Sequence, residues 1–379
     1  MSSPLKIISF FAIIIVAILL TEKHYKKNAV DGKVMAITFV ANSETKGDNL
    51  NPSTMDYFRS TQYPHLSLLI PYLKKHQQPV EVVDWEDATI DWFRKDKIVL
   101  GPVWGYTENI DKFIVWLDLV ENEHINLVNH PKFLKWNLTK TYLLDLAKKD
   151  IAIPNTLIVS SESHLSFEEA KNSFHKNFQE TNIILKGVVD AGSIGYMHAQ
   201  SNKLDEVSDH FEKLKKKNHG VIIQNFIPEI QKKGELSFVF FGNEISHFFV
   251  KVPKSNEERT QPFYGGKSFH LNGENLEEQV RLIKSTFRPD LELEEKDITN
   301  ASIEVQDVYA QLLLLLNDLS IPHPKYLRID GVMVGKKFIL MELEGIEPYL
   351  EMQEAMDNNK SNNILQIYAE KVLGISTSM

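Results

Sequence analysis

The sequence predicts a mixed fold, an α/β front layer followed by α+β lobes, and three patterns predict it. Short apolar strands alternate with helices to about residue 130. The chain then switches to hairpins separated by charged helices. One late hairpin, YLRIDGVMV with KFILMELE, sets Arg328, Asp330, Glu342 and Glu344 among apolar residues. Strand and helix alternation indicates a parallel layer whose ligands sit beyond the C-terminal strand ends.

The elements follow in order. KVMAITFVAN reads as a strand, LSLLIPYLKKH as a helix, PVEVVDW and KIVLGPVW as short strands, and IDKFIVWLDLVEN as an amphipathic helix. A helix is expected over NLTKTYLLDLAKK, with Asn137 as its N-cap. Pro154 then introduces the strand TLIV. NIILK follows as a strand, VVDAGSIGY as a glycine-containing loop, LDEVSDHFEKLKKK as a charged helix and GVIIQNF as a strand. ELSFVFFG and EISHFFVKV flank Gly242 and Asn243 as an antiparallel hairpin. Helices are expected at about 275 to 288 and 303 to 319, then the acidic hairpin and a terminal helix, NILQIYAEKVLG.

The expected divisions are an apolar anchor and polar linker over 1–32, an α/β domain over 33–130, and a two-lobed domain over 131–379 with its small lobe at about 150–226. At 379 residues the chain can bury a large core. Its net charge of −9 argues against a general nucleic-acid binder, which displays a basic stripe. With no cysteine, thiolate metal sites, thiol catalysis and disulfides are excluded.

The run Ile7 to Leu20 is apolar apart from Ser9 but short for a spanning helix, which needs about 20 residues. No small-x-small cleavage signal follows it, so an uncleaved membrane anchor is expected. Lys23, Lys26 and Lys27 after the run outnumber Lys6 before it, which puts the main domain in the cytoplasm. A secreted protein with an atypical cleavage site, or an extension irrelevant to function, fits the same residues.

Side chains alternate along a strand, so Arg328 and Asp330 share one face, and Glu342 and Glu344 share one face of the next strand. A three-residue loop at Gly335, Lys336 and Lys337 sets Asp330 opposite Glu342 and Arg328 opposite Glu344. A two-residue turn puts the pairs on opposite faces unless a bulge restores them. In the favourable register Leu327, Ile329, Met333, Ile339, Met341 and Leu343 form the core face. Val332, Val334, Phe338 and Leu340 then accompany the charges. Unpaired buried charge is costly, so divalent cations or an ion-pair network must compensate the three carboxylates. Mg²⁺ prefers oxygen ligands and is commonly held by carboxylates together with substrate phosphates.

Other signals are weaker one by one. Lys186 ends a strand before Gly192, Ser193 and Gly195, whose small side chains let backbone N–H groups approach phosphate; an ordinary turn has the same composition. Gln224, Asn225, Phe226 and Ile227 lie at a strand end that offers backbone to adenine. Glu235 opens a strand where a carboxylate can accept ribose hydroxyls. Lys251 precedes a polar loop with Arg259, Gln261, Gly265 and Gly266. His247 reads as a packed histidine.

In this order the chain resembles the ATP-grasp superfamily of carboxylate-amine ligases, and within it the glutathione-synthetase-like and O-ureido-serine cyclo-ligase-like branch. The segments that carry the resemblance are NHPKFLKWNLTKTYLLDLAKKDIAIPNT, VIIQNFIPEIQKKGELSFVFFGNEISHFFVKVP, RTQPFYGG, YLRIDGV and LMELEGIEP, across about 129 to 350. The resemblance implies an ATP-grasp fold behind a pre-ATP-grasp α/β domain. It implies ATP-driven phosphorylation of a carboxylate, then attack by an amine on the acyl phosphate. Lys140 and Lys186 would contact ATP phosphates, Gln224, Asn225 and Ile227 the adenine, and Glu235 the ribose. Asp330, Glu342 and Glu344 would hold one or two Mg²⁺ ions, with Mn²⁺ as an alternative. Arg328 would stabilise the transferred phosphoryl group, while Lys251 and the loop from Arg259 to Gly266 close over the acyl phosphate. Partners would be small carboxylate and amine substrates.

The chain departs from the branch at the acceptor. Gly187 follows Lys186 where proline is usual, and Glu344 stands where asparagine is frequent. Gly101 and Gly105 replace an expected arginine and aspartate beside the substrate candidates Trp104 and Tyr106. Those losses imply a different substrate, or a non-catalytic nucleotide-binding module. A phosphotransferase is the third reading.

Overall fold

The computed structural model describes residues 34–41, 64–103, 105–199, 203–352 and 364–376. The first layer is a three-stranded parallel sheet in the order β2-β1-β3, from β1 (Ile37–Ala41), β2 (Val80–Asp84) and β3 (Lys97–Leu100). All five residues of β1 are buried, as a central parallel strand covered on both faces requires. The helix Pro64–Lys75 covers one side. The helix Ile110–Asn122 buries Ile110, Phe113, Trp116, Leu117 and Val120, the i, i+3, i+4 stripe of an amphipathic helix.

A four-stranded antiparallel sheet follows, ordered β4-β7-β5-β6, from β4 (Thr156–Ser160), β5 (Ile183–Gly187), β6 (Met197–His198) and β7 (Gly220–Asn225). The helices Phe167–Phe178 and Leu204–Lys217 close a separate small core against it through Phe174, Phe211 and Leu214. Sequence reading passed over the first of these helices, although Ser166 and Glu169 form a complete capping box at its start.

The third sheet is antiparallel and five-stranded, ordered β10-β9-β8-β11-β12: β8 (Glu235–Phe241), β9 (Glu244–Val252), β10 (Lys267–Leu271), β11 (Tyr326–Val334) and β12 (Lys337–Glu344). Its apolar face, including Phe238, Phe240, Leu327, Ile329 and Leu343, packs in one core with residues of the helix Glu295–Asp318 such as Ile298, Val305 and Leu312. That helix starts eight residues before the expected 303, where Glu294 and Asp297 form its capping box. The β8–β9 hairpin turns at Gly242 and Asn243 as expected.

The β11–β12 hairpin corrects the expected three-residue loop. Val334 pairs with Lys337 across a two-residue turn, Gly335 and Lys336, with Gly335 at φ 63°. The register then shifts between Asp330 and Gly331. Gly331 pairs with Leu340 while Asp330 pairs with Glu342, leaving Met341 as the extra residue of a β-bulge. The bulge restores Asp330 opposite Glu342 and Arg328 opposite Glu344. It depends on glycine, because a Cβ at Gly331 would lie 2.3 Å from Phe338 Cζ and 2.5 Å from the Ile339 carbonyl oxygen. The same shift moves Phe338 and Leu340 from the expected charged face into the core with Met333.

Asn137 is also reassigned. It is the last residue of the helix Pro131–Asn137, and the next helix, Tyr142–Ala147, follows Thr141. No helix among the described residues is long and apolar enough to cross a membrane. The run from Ile7 to Leu20 lies outside the described residues.

Candidate active site

The face of the five-stranded sheet opposite the core it shares with the helix Glu295–Asp318 carries the charged side chains of the β11–β12 hairpin beside Val239, Phe241 and Tyr326 of a second core. Segments distant in sequence hold the hairpin's backbone. Asn129 donates to the carbonyls of Tyr326 (2.9 Å) and Gly345 (2.8 Å). Asn137 donates to the Leu343 carbonyl and accepts from the Gly345 N–H, both at 2.8 Å. Tyr142 Oη accepts from the Leu343 N–H at 2.9 Å. The peptide groups between Glu342 and Gly345 therefore have fixed partners, and the two glutamates project from a rigid backbone.

One oxygen from each of Asp330, Glu342 and Glu344 lies within 4.8 Å of the others. Each carboxylate also has a cation of the chain beside it. Arg328 forks onto Asp330 (Nε to Oδ1 2.8 Å, NH2 to Oδ2 2.7 Å) and reaches Glu344 Oε2 at 2.9 Å. Lys251 Nζ lies 2.8 Å from Asp330 and 2.6 Å from Glu235, and Lys140 Nζ lies 2.6 Å from Glu342. Cations thus already hold the acids that sequence assigns to metal and ribose. Hard oxygen donors in this spacing suit a Mg²⁺-type ion, and the ammonium and guanidinium groups are the compensation that buried carboxylates need without one.

The charges shift one another in the expected directions. Burial pushes the Asp330 carboxyl up, but Arg328 and Lys251 overcome it and hold the group far below the usual carboxylate range. Burial opposes ionisation of Glu342 too, and Lys140 brings it below its ordinary value. At Glu344 burial wins over Arg328, and with Glu342 and Asp330 nearby the carboxyl rises to about 7. Burial lowers Lys186, which lies within the field of Glu342 and Glu235.

The glycine loop borders this cluster. Asp190 gives its carbonyl to Lys140 Nζ at 2.8 Å, and its side chain accepts from the Gly195 N–H at 3.0 Å. Gly192 and Ser193 take left-handed φ values of 63° and 56°, so the loop makes the tight turn that its composition suggested. Lys140, Lys186 and this loop come together at one end of the acidic hairpin.

At the strand end expected to meet adenine, Gln224 is buried and donates to Thr156 Oγ1 at 3.0 Å, while its Oε1 has no hydrogen-bond partner. The Asn225 side-chain oxygen accepts from the Asn155 N–H at 2.8 Å, so this side chain fastens β4. Ile227 lies in extended backbone just before the short helix Pro228–Lys233.

In the connection after β9, Arg259 does not reach the acidic cluster. It forks onto Glu257 (2.9 Å to each oxygen) and lies 3.5 Å over the Tyr264 ring. Gln261 has a buried Oε1 without a hydrogen-bond partner. Gly265 adopts φ 86°, and a Cβ at Gly266 would lie 2.0 Å from the Thr260 carbonyl oxygen.

Tyr106 is buried against Phe113, and burial together with Glu347, Glu344, Glu342 and Asp190 raises its hydroxyl well above its ordinary value. It therefore belongs to the environment of the acidic cluster. Trp104 lies outside the described residues. Gly101 is confined, since its Cβ would lie 3.0 Å from the Val40 carbonyl oxygen and 3.2 Å from Leu66 Cδ1, and Gly105 adopts φ 89°. The local backbone at these two positions is thus suited to glycine. Sequence reading missed the gripping roles of Asn129, Asn137 and Tyr142, which no local spacing signals.

Two family models match the chain: "D-cycloserine synthetase DcsG, N-terminal domain" over residues 52–129, and "Prokaryotic glutathione synthetase, ATP-grasp domain" over residues 141–309. The cycloserine biosynthesis protein DcsG of Streptomyces lavendulae is 26% identical over 173 residues, which is 45% of this chain and 56% of that protein. The matched part is thus little more than half the length of that relative. Among solved structures, D-cycloserine synthetase DcsG superposes with a TM-score of 0.65 at 20% identity, covering 89% of this chain and 99% of that one. D-alanine–D-alanine ligase from Bacillus anthracis gives 0.56 at 14% identity over 90% and 98%. The same ligase complexed with ATP gives 0.55, also at 14% identity over 90% and 98%. At these identities the structural likenesses establish the fold.

Proposed function

Since this chain belongs to the ATP-grasp superfamily, we propose that it is an ATP- and Mg²⁺-dependent ligase that joins a small carboxylate to an amine through an acyl phosphate. The observation that carries the reading is the convergence of Asp330, Glu342 and Glu344 with Arg328, Lys140 and Lys251 on one face of the sheet. Asp330, Glu342 and Glu344 would hold one or two ions, whose charge when bound would neutralise the phosphate oxygens.

The chain's own groups would do the rest. A substrate carboxylate oxygen attacks the γ-phosphorus of ATP, the bond to the ADP oxygen breaks, and the acyl phosphate forms. Arg328 stabilises the transferring group bidentately, and Lys251 neutralises its oxygens. Lys140, Lys186 and the N–H groups around Gly192, Ser193 and Gly195 hold the remaining phosphates. Gln224, with its open acceptor, and the backbone at Asn225 and Ile227 take the adenine, and Glu235 the ribose. The amine then attacks the acyl carbon, phosphate leaves, and the amine gives up a proton. Tyr106 and the segment with Arg259, Gln261, Gly265 and Gly266 would line the acceptor side. DcsG and the D-alanine ligases point to a small amino-acid-like or peptide substrate.

We assign residues 33–130 to a pre-ATP-grasp domain and 131–379 to the ATP-grasp domain. We place the catalytic body on the cytoplasmic face, tethered by Ile7 to Leu20, on the apolar run and the lysines after it. Cell fractionation with and without residues 1–32 tests the tether. For the activity, purified protein is incubated with Mg·ATP and a metabolite extract and the products are read by mass spectrometry. An amide-type product is expected. ATP bound without any product identifies a non-catalytic module, and a stable phosphorylated product a phosphotransferase. The reading fails if Mg·ATP binding is undetectable, or persists undiminished with Asp330, Glu342 and Glu344 all replaced by alanine.

A further inference from the structure

Glu258, in the connection between β9 and β10, spends both carboxylate oxygens on the strand that leaves the glycine loop. Tyr196 Oη donates to Glu258 Oε2 at 2.6 Å, and His198 Nδ1 lies 2.7 Å from Glu258 Oε1. The His198 ring is fixed from two further sides. Its Nε2 lies 2.5 Å from Asn182 Oδ1, and its plane stacks on Phe226 with centroids 4.6 Å apart and 22° between planes. Phe226 belongs to the strand end assigned to adenine, so the contacts run unbroken from that end to the connection.

The arrangement is a built junction. Tyr196 and His198 sit in or beside β6 of the small sheet, sixty-two and sixty residues from Glu258 in sequence. Glu257, the preceding residue, forks onto Arg259, whose guanidinium covers the Tyr264 ring. A cavity of about 250 Å³ lies beside the junction, lined by Lys203, Glu206 and Val207 together with Tyr196, His198 and Glu257 to Arg259. This part of the connection is therefore held by directional polar bonds at the edge of a cavity.

We propose that Glu258 is a positioning residue: by bonding Tyr196 and His198 it holds the connection over residues 253–266 against the glycine-loop side, so that seating the nucleotide and closing the acceptor side become one event. The acceptor part rests on the ligase reading. The junction itself rests on the contacts alone.

Hydrogen exchange on the full chain tests it, with Tyr196→Phe and Glu258→Gln as variants. Without nucleotide, amides over 254–266 should exchange about tenfold faster in each variant, with the β11–β12 hairpin unchanged. With Mg²⁺ and a non-hydrolysable ATP analogue, the wild type should protect 190–198 and 254–266 together. Glu258→Gln should bind the analogue within about threefold of wild type but protect only 190–198. Wild-type exchange over 254–266 in the nucleotide-free Tyr196→Phe variant overturns the proposal. Full analogue protection of 254–266 in a folded Glu258→Gln protein does so too. If Glu258→Gln fails to fold, Tyr196→Phe, which loses a single hydroxyl, decides. If the wild type binds no analogue, the ligase reading falls and the nucleotide-free comparison alone judges the junction.

Discussion

Arg328 and Asp330, two residues apart on β11, form a forked ion pair at 2.8 and 2.7 Å in which Asp330 is wholly excluded from solvent. Lys251 approaches the same carboxylate from β9. Removing one partner of a buried pair leaves charge uncompensated and costs about 3–5 kcal/mol. Asp330→Asn should therefore lower stability in urea unfolding by about 3 kcal/mol and abolish Mg·ATP binding measured by calorimetry. Arg328→Lys, which keeps the charge but loses the fork, should cost roughly half as much.

Glu344 supplies the pH dependence. Its folded-state value of about 7 lies above its ordinary 4.5, so between these values the folded chain keeps a proton that the unfolded chain has lost. The stabilisation is full below about 4.5 and disappears as pH rises through about 7. Metal-free stability should accordingly fall across that window, and Glu344→Gln should flatten the fall. Mg²⁺ binding at pH 6 should release a proton, seen as a calorimetric heat that depends on the buffer, and the release should vanish by about pH 8.5. Equal heats in all buffers at pH 6 would refute the assignment of Glu344 as a ligand.

Gly331→Ala tests the bulge. The added methyl meets Phe338 Cζ at 2.3 Å and the Ile339 carbonyl at 2.5 Å, one of them backbone that cannot yield cheaply. A loss of about 2–3 kcal/mol is expected from overpacking. Because the bulge aligns Asp330 with Glu342, Mg·ATP affinity should fall as well. Wild-type affinity in the folded variant would show that the bulge is dispensable.

Asn137→Ala removes both bonds to the backbone around Glu344 and leaves the Gly345 N–H and Leu343 carbonyl without their partner. Each orphaned buried group costs about 1–3 kcal/mol, so a total near 3 kcal/mol should appear in thermal or urea unfolding. Asn137→Asp keeps the acceptor for Gly345 but loses the donor, and should retain part of the stability at a cost to Mg²⁺ affinity.

Strong local patterns were legible. Helix Ile110–Asn122, the parallel front layer and the β8–β9 turn follow from periodicity and from Gly242-Asn243. The acidic cluster was legible as a set of residues, but its register was open. One extra residue in a strand reverses the face of all that follows, and a bulge at Met341 leaves no mark that a two-residue period detects. Asn137 looked like a helix cap because asparagine suits that position locally, whereas its partners lie more than two hundred residues away. Arg259 was expected at the acyl phosphate, but the spacing to Glu257 gave no warning that the two would close on each other.

The grip of Asn129 and Asn137 on the 326–345 backbone spans 197 to 216 residues of chain. During synthesis those asparagines leave the ribosome long before the strands they hold exist, and contacts so distant form late. A ribosome-stalled or truncated product ending before Lys325 would lack the acids, and also Leu365, Tyr368 and Val372, which share the front layer's core. On the proposed ligase reading such fragments would bind no magnesium nucleotide, so a partly made chain would not spend ATP.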